Sequence, residues 1–265
     1  MSVPLGRRLV AEFTGTGLLV TAVVGSGIAA SRLSPHDLGL QLLENAAATG
    51  LALAVLILVF APVSGAHLNP VISAADHLLS RRAGTGLTGR DTLGYLLAQT
   101  AGAIAGTVLA DLMYALPAVS WSTTTRHTPQ LWLGEIVATA GLVLLVCTLA
   151  RTHRTSTAPA AVGGYIAAAY WFTSSTSFAN PAVTLGRAFT DTFAGIAPGS
   201  VPAFIAAQIL GAGLGLALLA ALYPQPGPAA DAVVVPHPGT GDPDIPGGSP
   251  SIHPATASDP IGGPA

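Results

Sequence analysis

The chain has 265 residues, of which 51% are hydrophobic and only 8% charged, with a formal net charge of −2. A balance this apolar excludes an ordinary soluble domain and marks an integral membrane protein. All ten basic residues are Arg, and none gathers into a basic patch of the kind that grips nucleic acid, so the partners implied are lipid and solute.

The first apolar run, about 9–30, follows Arg7 and Arg8 and ends on Gly27-Ile28-Ala29-Ala30, the outline of a cleaved leader. Glu12 inside it is wrong for a leader, and the run is long enough to span, so it is the first transmembrane helix. Further runs at about 40–60, 93–115, 131–150, 159–173 and 201–223 bring the spans to six, the fifth being short. Between the second and third lies 61–80, and between the fifth and sixth lies 174–196. Each begins with small polar residues, holds an Asn-Pro and is too short to cross. Asn69 to Ser80 taken as helix is twelve residues, ~18 Å long, roughly half of a ~30 Å hydrocarbon core. Both segments read as re-entrant half-helices with Pro70 and Pro181 at the first helical position. Non-helical backbone at membrane depth needs burial in protein or a water-filled cavity, so two such loops imply a cavity. The tail 224–265 is rich in Pro, Gly, Ala and Asp without periodicity, and is expected to be a disordered cytoplasmic segment.

Ala98, Gln99, Gly102, Ala103 and Gly106 of the third span recur as Ala207, Gln208, Gly211, Ala212 and Gly215 of the sixth, and Glu12 in the first is answered by Glu135 in the fourth. The chain therefore reads as a channel domain, 1–223, made of three-span repeats over about 6–115 and 130–223. Three being odd, the second copy is inverted. The loops then enter from opposite faces and their Asn ends meet near the midplane. There the amides of Asn69 and Asn180 offer N–H donors to a solute while their oxygens cap the half-helices. Both helix dipoles turn positive ends to that spot, which opposes cations and hydrated protons and leaves neutral hydrogen-bonding solutes unhindered.

Glu12 and Glu135 are carboxylates inside spans and so are functional candidates. They brace the loops by accepting backbone N–H groups, or else relay protons in a coupled transporter. His67 reads as a loop-packing or gating residue, since no second ligand lies at useful spacing; no metal or cofactor is expected. Gly15, Gly102, Gly106, Gly141, Gly211 and Gly215 read as close helix packing, and Cys147 as a small buried residue. No nucleophile with a base at recognisable spacing appears, so an enzyme is not expected. Arg7, Arg8, Arg81, Arg82, Arg90, Arg151 and Arg154 fall on one side of the six-span arrangement against Arg32, Arg126 and Arg187 on the other, which puts both termini in the cytoplasm.

These residues resemble a known family, the major intrinsic proteins, that is the aquaporins and aquaglyceroporins. The resemblance covers about 6–223 and is carried by Ala11-Glu12-Phe13, Ser64-Gly65-Ala66-His67-Leu68-Asn69-Pro70, Gln99, Glu135 and Asn180-Pro181-Ala182. It implies an all-α membrane protein of six transmembrane helices plus two half-helices. It also implies a homotetramer with one pore per subunit, in a bacterial inner or plasma membrane. Two departures stand out. The first signature is Asn69-Pro70-Val71, with Val for Ala, which repacks the half-helix tip. Directly after Ala182, where the family usually has the arginine of its outer constriction, stands Val183. Arg187, one turn on, is expected near the outer surface rather than as a substitute. Carried over by offset from the two Asn residues, Thr49, Ala168 and Ser177 join Val183, and four small side chains imply a wide, uncharged constriction. The stretch from Ala182 to Pro198 looks most like the bacterial branch associated with arsenic-resistance operons. The function implied is passive passage of arsenite and related metalloid hydroxides, glycerol and water. The alternatives are a proton-coupled transporter using Glu12 or Glu135, and a junction protein with a closed pore.

Overall fold

Residues 3–81 and 86–224 are described by the structure, a computed structural model; apart from Pro224, the tail expected to be disordered lies outside the described residues. The helices are α1 (Leu5–Leu33), α2 (Leu38–Ser64), α3 (Pro70–Ser80), α4 (Gly89–Met113), α5 (Pro129–Arg151), α6 (Ala158–Phe172), α7 (Pro181–Gly186) and α8 (Val201–Leu222). Single 3-10 turns precede α6 and α8, and another extends α7 through Phe189. Five of them, α1, α2, α4, α5 and α8, are long and apolar enough to cross a membrane. The sixth span, α6, has only 15 residues, ~22 Å at 1.5 Å each, and is the short span anticipated at 159–173.

Local chemistry sets the boundaries. Asp37 starts α2 by accepting the Leu40 N–H at 2.9 Å, and Thr88 starts α4 by accepting that of Asp91 at 3.1 Å. Gly65, at φ 86°, turns the chain out of α2 in the left-handed conformation that suits a residue without Cβ. Exposed Val10, Leu51, Val55, Leu97 and Leu210 face outward, while Glu12, Gln99, Glu135 and Gln208 are fully buried. That inside-out distribution is what lipid as solvent requires.

The bundle is an inverted repeat: α1 packs on α4 as α5 packs on α8, and α2 meets α6 across the seam between the halves. The matching glycines make the two long pairs possible. A Cβ at Gly102 would lie 2.2 Å from the Phe13 carbonyl oxygen, and one at Gly106 2.1 Å from that of Gly17. At Gly211 and Gly215 the corresponding distances are 2.5 Å to Ile136 and 2.6 Å to Ala140. No larger residue fits these crossings without separating the helices. The Thr107 hydroxyl, donating to the Gly186 carbonyl at 2.9 Å, then ties α4 to the short α7. Beyond α7 the backbone is stitched to the loop before α5, with Ser120 and Ser122 N–H donating to the carbonyls of Phe189 and Ala188.

Candidate functional site: two capped helix tips and a central cavity

Asn69 and Asn180 each cap their own half-helix and reach across to the other. The Asn69 side-chain oxygen accepts the Val71 N–H at 3.1 Å; that of Asn180 accepts Ala182 at 3.0 Å and Val183 at 3.2 Å. The Asn69 amide nitrogen donates to the Ala179 carbonyl at 2.8 Å, and the Asn180 amide nitrogen donates to the Leu68 carbonyl at 2.7 Å. Each amide has two N–H groups, so one is held by the opposite loop and one remains for a solute.

The loops feeding these tips are strained alike. Ala66 and Leu68, three and one residues before Asn69, have φ of 48°, and Ser177 and Ala179, at the same offsets from Asn180, have 49° and 47°. Such left-handed positions are unfavourable for residues with a Cβ and persist only where surroundings hold them. The two carboxylates hold them. Glu12 accepts the Ser64 hydroxyl at 2.6 Å, the N–H groups of His67 and Leu68 at 3.0 and 2.7 Å, and Gln99 Nε2 at 2.8 Å. Glu135 accepts the N–H groups of Phe178 and Ala179 at 2.8 and 2.9 Å and Gln208 Nε2 at 2.6 Å. Each glutamine passes the chain on: Gln99 Nε2 donates to Ser73 at 3.0 Å and Gln208 Nε2 to Thr184 at 2.8 Å. Ser73 and Thr184, four residues beyond their Asn, return hydroxyl bonds to the Asn69 and Asn180 carbonyls at 3.3 and 2.8 Å. These two hydroxyls and the glutamine links were missed from sequence. Their shared +4 offset was the available signal, masked because one half has Ser and the other Thr.

A cavity of about 520 Å³ runs along this seam. Thr49, His67, Asn69, Ser177, Asn180 and Val183 all line it, while Glu12 and Glu135 do not. Pro70, Val71 and Ala182 are buried behind it and Pro181 is half-buried, so they shape the tips rather than the lumen. Val71, 5% exposed, packs into the main apolar core. The His67 Nδ1 atom lies 2.9 Å from the Ser73 hydroxyl, and its ring is 5.1 Å from that of Tyr95.

Two expectations need correcting. Ala168 is on the exposed side of α6 and does not line the cavity. Tyr170 does, its hydroxyl 3.3 Å from Thr49 Oγ1. Two residues on a helix are ~200° apart, so an offset borrowed from another chain fails when the segment between α6 and Asn180 differs by a residue or two. Arg187 is 3% exposed, not at the outer surface, and lines the cavity. Its guanidinium carbon is 3.4 Å from the centre of the Phe178 ring, and Nε donates to the Ala194 carbonyl. The lining is therefore neither uniformly small nor uncharged. Arg126, in the loop before α5, lies 5.1 Å from the same ring. Burial pushes its pKa below the usual guanidinium value. Among the described residues no cluster of His, Cys, Asp or Glu is placed to hold a metal ion.

Six spans around two half-helices, joined tip to tip beside a cavity that Glu12 and Glu135 stand behind and into which Arg187 is held against an aromatic ring, define a membrane channel for small neutral solutes. The chain belongs to the major intrinsic protein family, whose sequence profile matches residues 1–179. It is 53% identical over 215 residues to the aquaglyceroporin AqpS of Rhizobium meliloti, with 81% of this chain and 89% of the relative covered. It is 37% identical over 114 residues to the propanediol uptake facilitator PduF of Citrobacter freundii, covering 43% of this chain and 39% of that one. Among solved structures, the aquaglyceroporin from Plasmodium falciparum superposes with a TM-score of 0.60 at 23% identity, over 82% of this chain and 96% of that one. That likeness concerns the fold.

Proposed function

We propose that this protein conducts glycerol, water and neutral metalloid hydroxides such as arsenite passively, while rejecting protons and ions. The observation that carries the reading is the reciprocal pairing of Asn69 and Asn180, which leaves one amide N–H of each toward the cavity. A polyol or a trihydroxide offers lone pairs to these donors and exchanges water for them at little loss. A cation meets the positive ends of two half-helices and finds only donors. Trivalent arsenite is neutral at pH 7 and has the hydroxyl pattern of a small polyol. The reading extends to a homotetramer with one pore per subunit, both termini in the cytoplasm, and a channel unit of residues 1–223 built from repeats over about 6–115 and 130–223.

The proton-coupled alternative finds less support. Glu12 and Glu135 accept every bond described above from loop and glutamine donors and stand behind the lining. A relay would have to break those bonds at each turnover. Purified protein in liposomes, challenged with water, glycerol, urea and arsenite under stopped flow, is expected to show non-saturating flux indifferent to a pH gradient. Saturating flux driven by that gradient would overturn the passive reading, and absence of any flux would favour a closed junction protein.

A further inference from the structure

We propose that Arg187 is the charge filter of this pore, supplied from one helical turn beyond the position where a side chain would ordinarily project at the outer neck. The inference rests on the channel reading above. Val183, first after the Asn-Pro-Ala signature, lines the cavity but is short and apolar. Side chains on a helix lean toward its N-terminus and cover the turn before their own Cα. A long side chain at 187 therefore lies back over position 183 and toward the loop that precedes Asn180. The guanidinium is found there, stacked 3.4 Å from the centre of the Phe178 ring.

Three observations give this cation a role toward the lumen rather than a purely internal one. Among the described residues no carboxylate forms an ion pair with it, the ion pair seen being Arg8 with Asp91. Its Nε is satisfied by the Ala194 carbonyl, while among the described residues its terminal nitrogens have no protein acceptor and yet are not sealed from solvent, which in a residue lining the cavity leaves them facing the lumen. Ser177, one residue before the Phe178 that carries the guanidinium, also lines the cavity, and among the described residues its buried hydroxyl has no hydrogen-bond partner. Free guanidinium donors at the cavity fit a neutral polyhydroxyl solute and oppose a cation. The short Val183 is what leaves room for the guanidinium. Position 76 of the first half, at the same offset from Asn69, is Asp and does not line the cavity, so Arg187 is peculiar to the outer half.

The test uses the full chain in proteoliposomes, reading glycerol and water flux by light scattering and proton and sodium leak by an internal dye. Arg187→Gln keeps a donor for the Ala194 carbonyl but removes the charge; it is expected to raise cation leak about tenfold or more with the melting point near that of the wild type. Arg187→Lys is expected to stay cation-tight, and the double variant Val183→Arg with Arg187→Gln to regain tightness by moving the guanidinium back one turn. A folded Arg187→Gln protein as tight as the wild type overturns the inference, as does a leaky Arg187→Lys protein. Wild-type liposomes without glycerol flux would refute the channel reading instead, whatever the leak of the variants.

Discussion

Replacing Glu135 by Gln tests whether the buried carboxylates work as braces. The glutamate accepts Phe178 N–H on one oxygen and Ala179 N–H with Gln208 Nε2 on the other. An amide of the same shape keeps only one acceptor. Oriented to keep the two bonds of the second oxygen, it turns an NH2 toward the Phe178 N–H and leaves that buried donor unsatisfied, which costs about 1–3 kcal/mol. The surviving bonds lose the advantage of a charged acceptor, about 1 kcal/mol more in total. A net loss of about 2–4 kcal/mol follows, and the left-handed Ser177 and Ala179 lose part of what holds them. At about 2–4 °C per kcal/mol for a chain of this size the melting point in detergent falls by roughly 4–16 °C. Solute flux per folded protein falls with it, because the Ala179 carbonyl is the anchor of the Asn69 amide. A Glu135→Gln protein with wild-type melting point and flux would refute the bracing role, and, having no titratable group at 135, would exclude a relay there as well.

Asn180→Asp removes the donor to the Leu68 carbonyl and sets a carboxylate at the convergence of two helix N-termini; proton and sodium leak is expected to appear, measured as dye acidification and conductance in liposomes, and an unaltered leak would count against the dipole barrier. Val183→Arg alone places a second guanidinium four residues from Arg187 on the same helical face, where like charges repel; glycerol and arsenite flux should drop more than water flux, and equal loss of all three would argue for misfolding instead. Gly106→Leu must push α1 from α4, since even a Cβ there lies 2.1 Å from the Gly17 carbonyl oxygen, and no folded protein is expected by size exclusion. Gly164→Ala, with nothing within 4 Å of its Cβ, is the matched control and should melt at or slightly above the wild-type temperature.

Much of this architecture was legible in the residues themselves. Asn-Pro twice, each preceded by small polar residues, fixed the half-helices, and Glu12 answering Glu135 fixed their braces, because backbone at membrane depth has so few ways to satisfy its polar groups. What escaped the sequence depended on side-chain direction. Whether Ala168 or Tyr170 faces the lumen turns on the rotation of α6, which no composition reports. The location of Arg187 turns on a 3-10 turn that tightens the end of α7 and on a ring, Phe178, that receives the guanidinium. A charged residue one turn past a helix tip looks peripheral until the length of its side chain is laid back along the axis.

The bond from Asn69 to Ala179 joins residues 110 positions apart. Synthesis at ~5–20 residues per second puts about 6–22 s between their appearances. α1 and α2 precede that interval and α3 to α6 are made within it, while the Leu68 carbonyl and the Asn69 N–H that later meets Ala179 await partners that do not yet exist. The joint between the two tips is thus made only when α7 arrives, with α8 and its Gln208 links to Glu135 and Thr184 still to come. Until then the first half must keep its open polar tip wet or shielded by the insertion machinery. A substitution at either asparagine is consequently also a fault in the timing of membrane assembly, visible as lost yield before any change in permeation is measured.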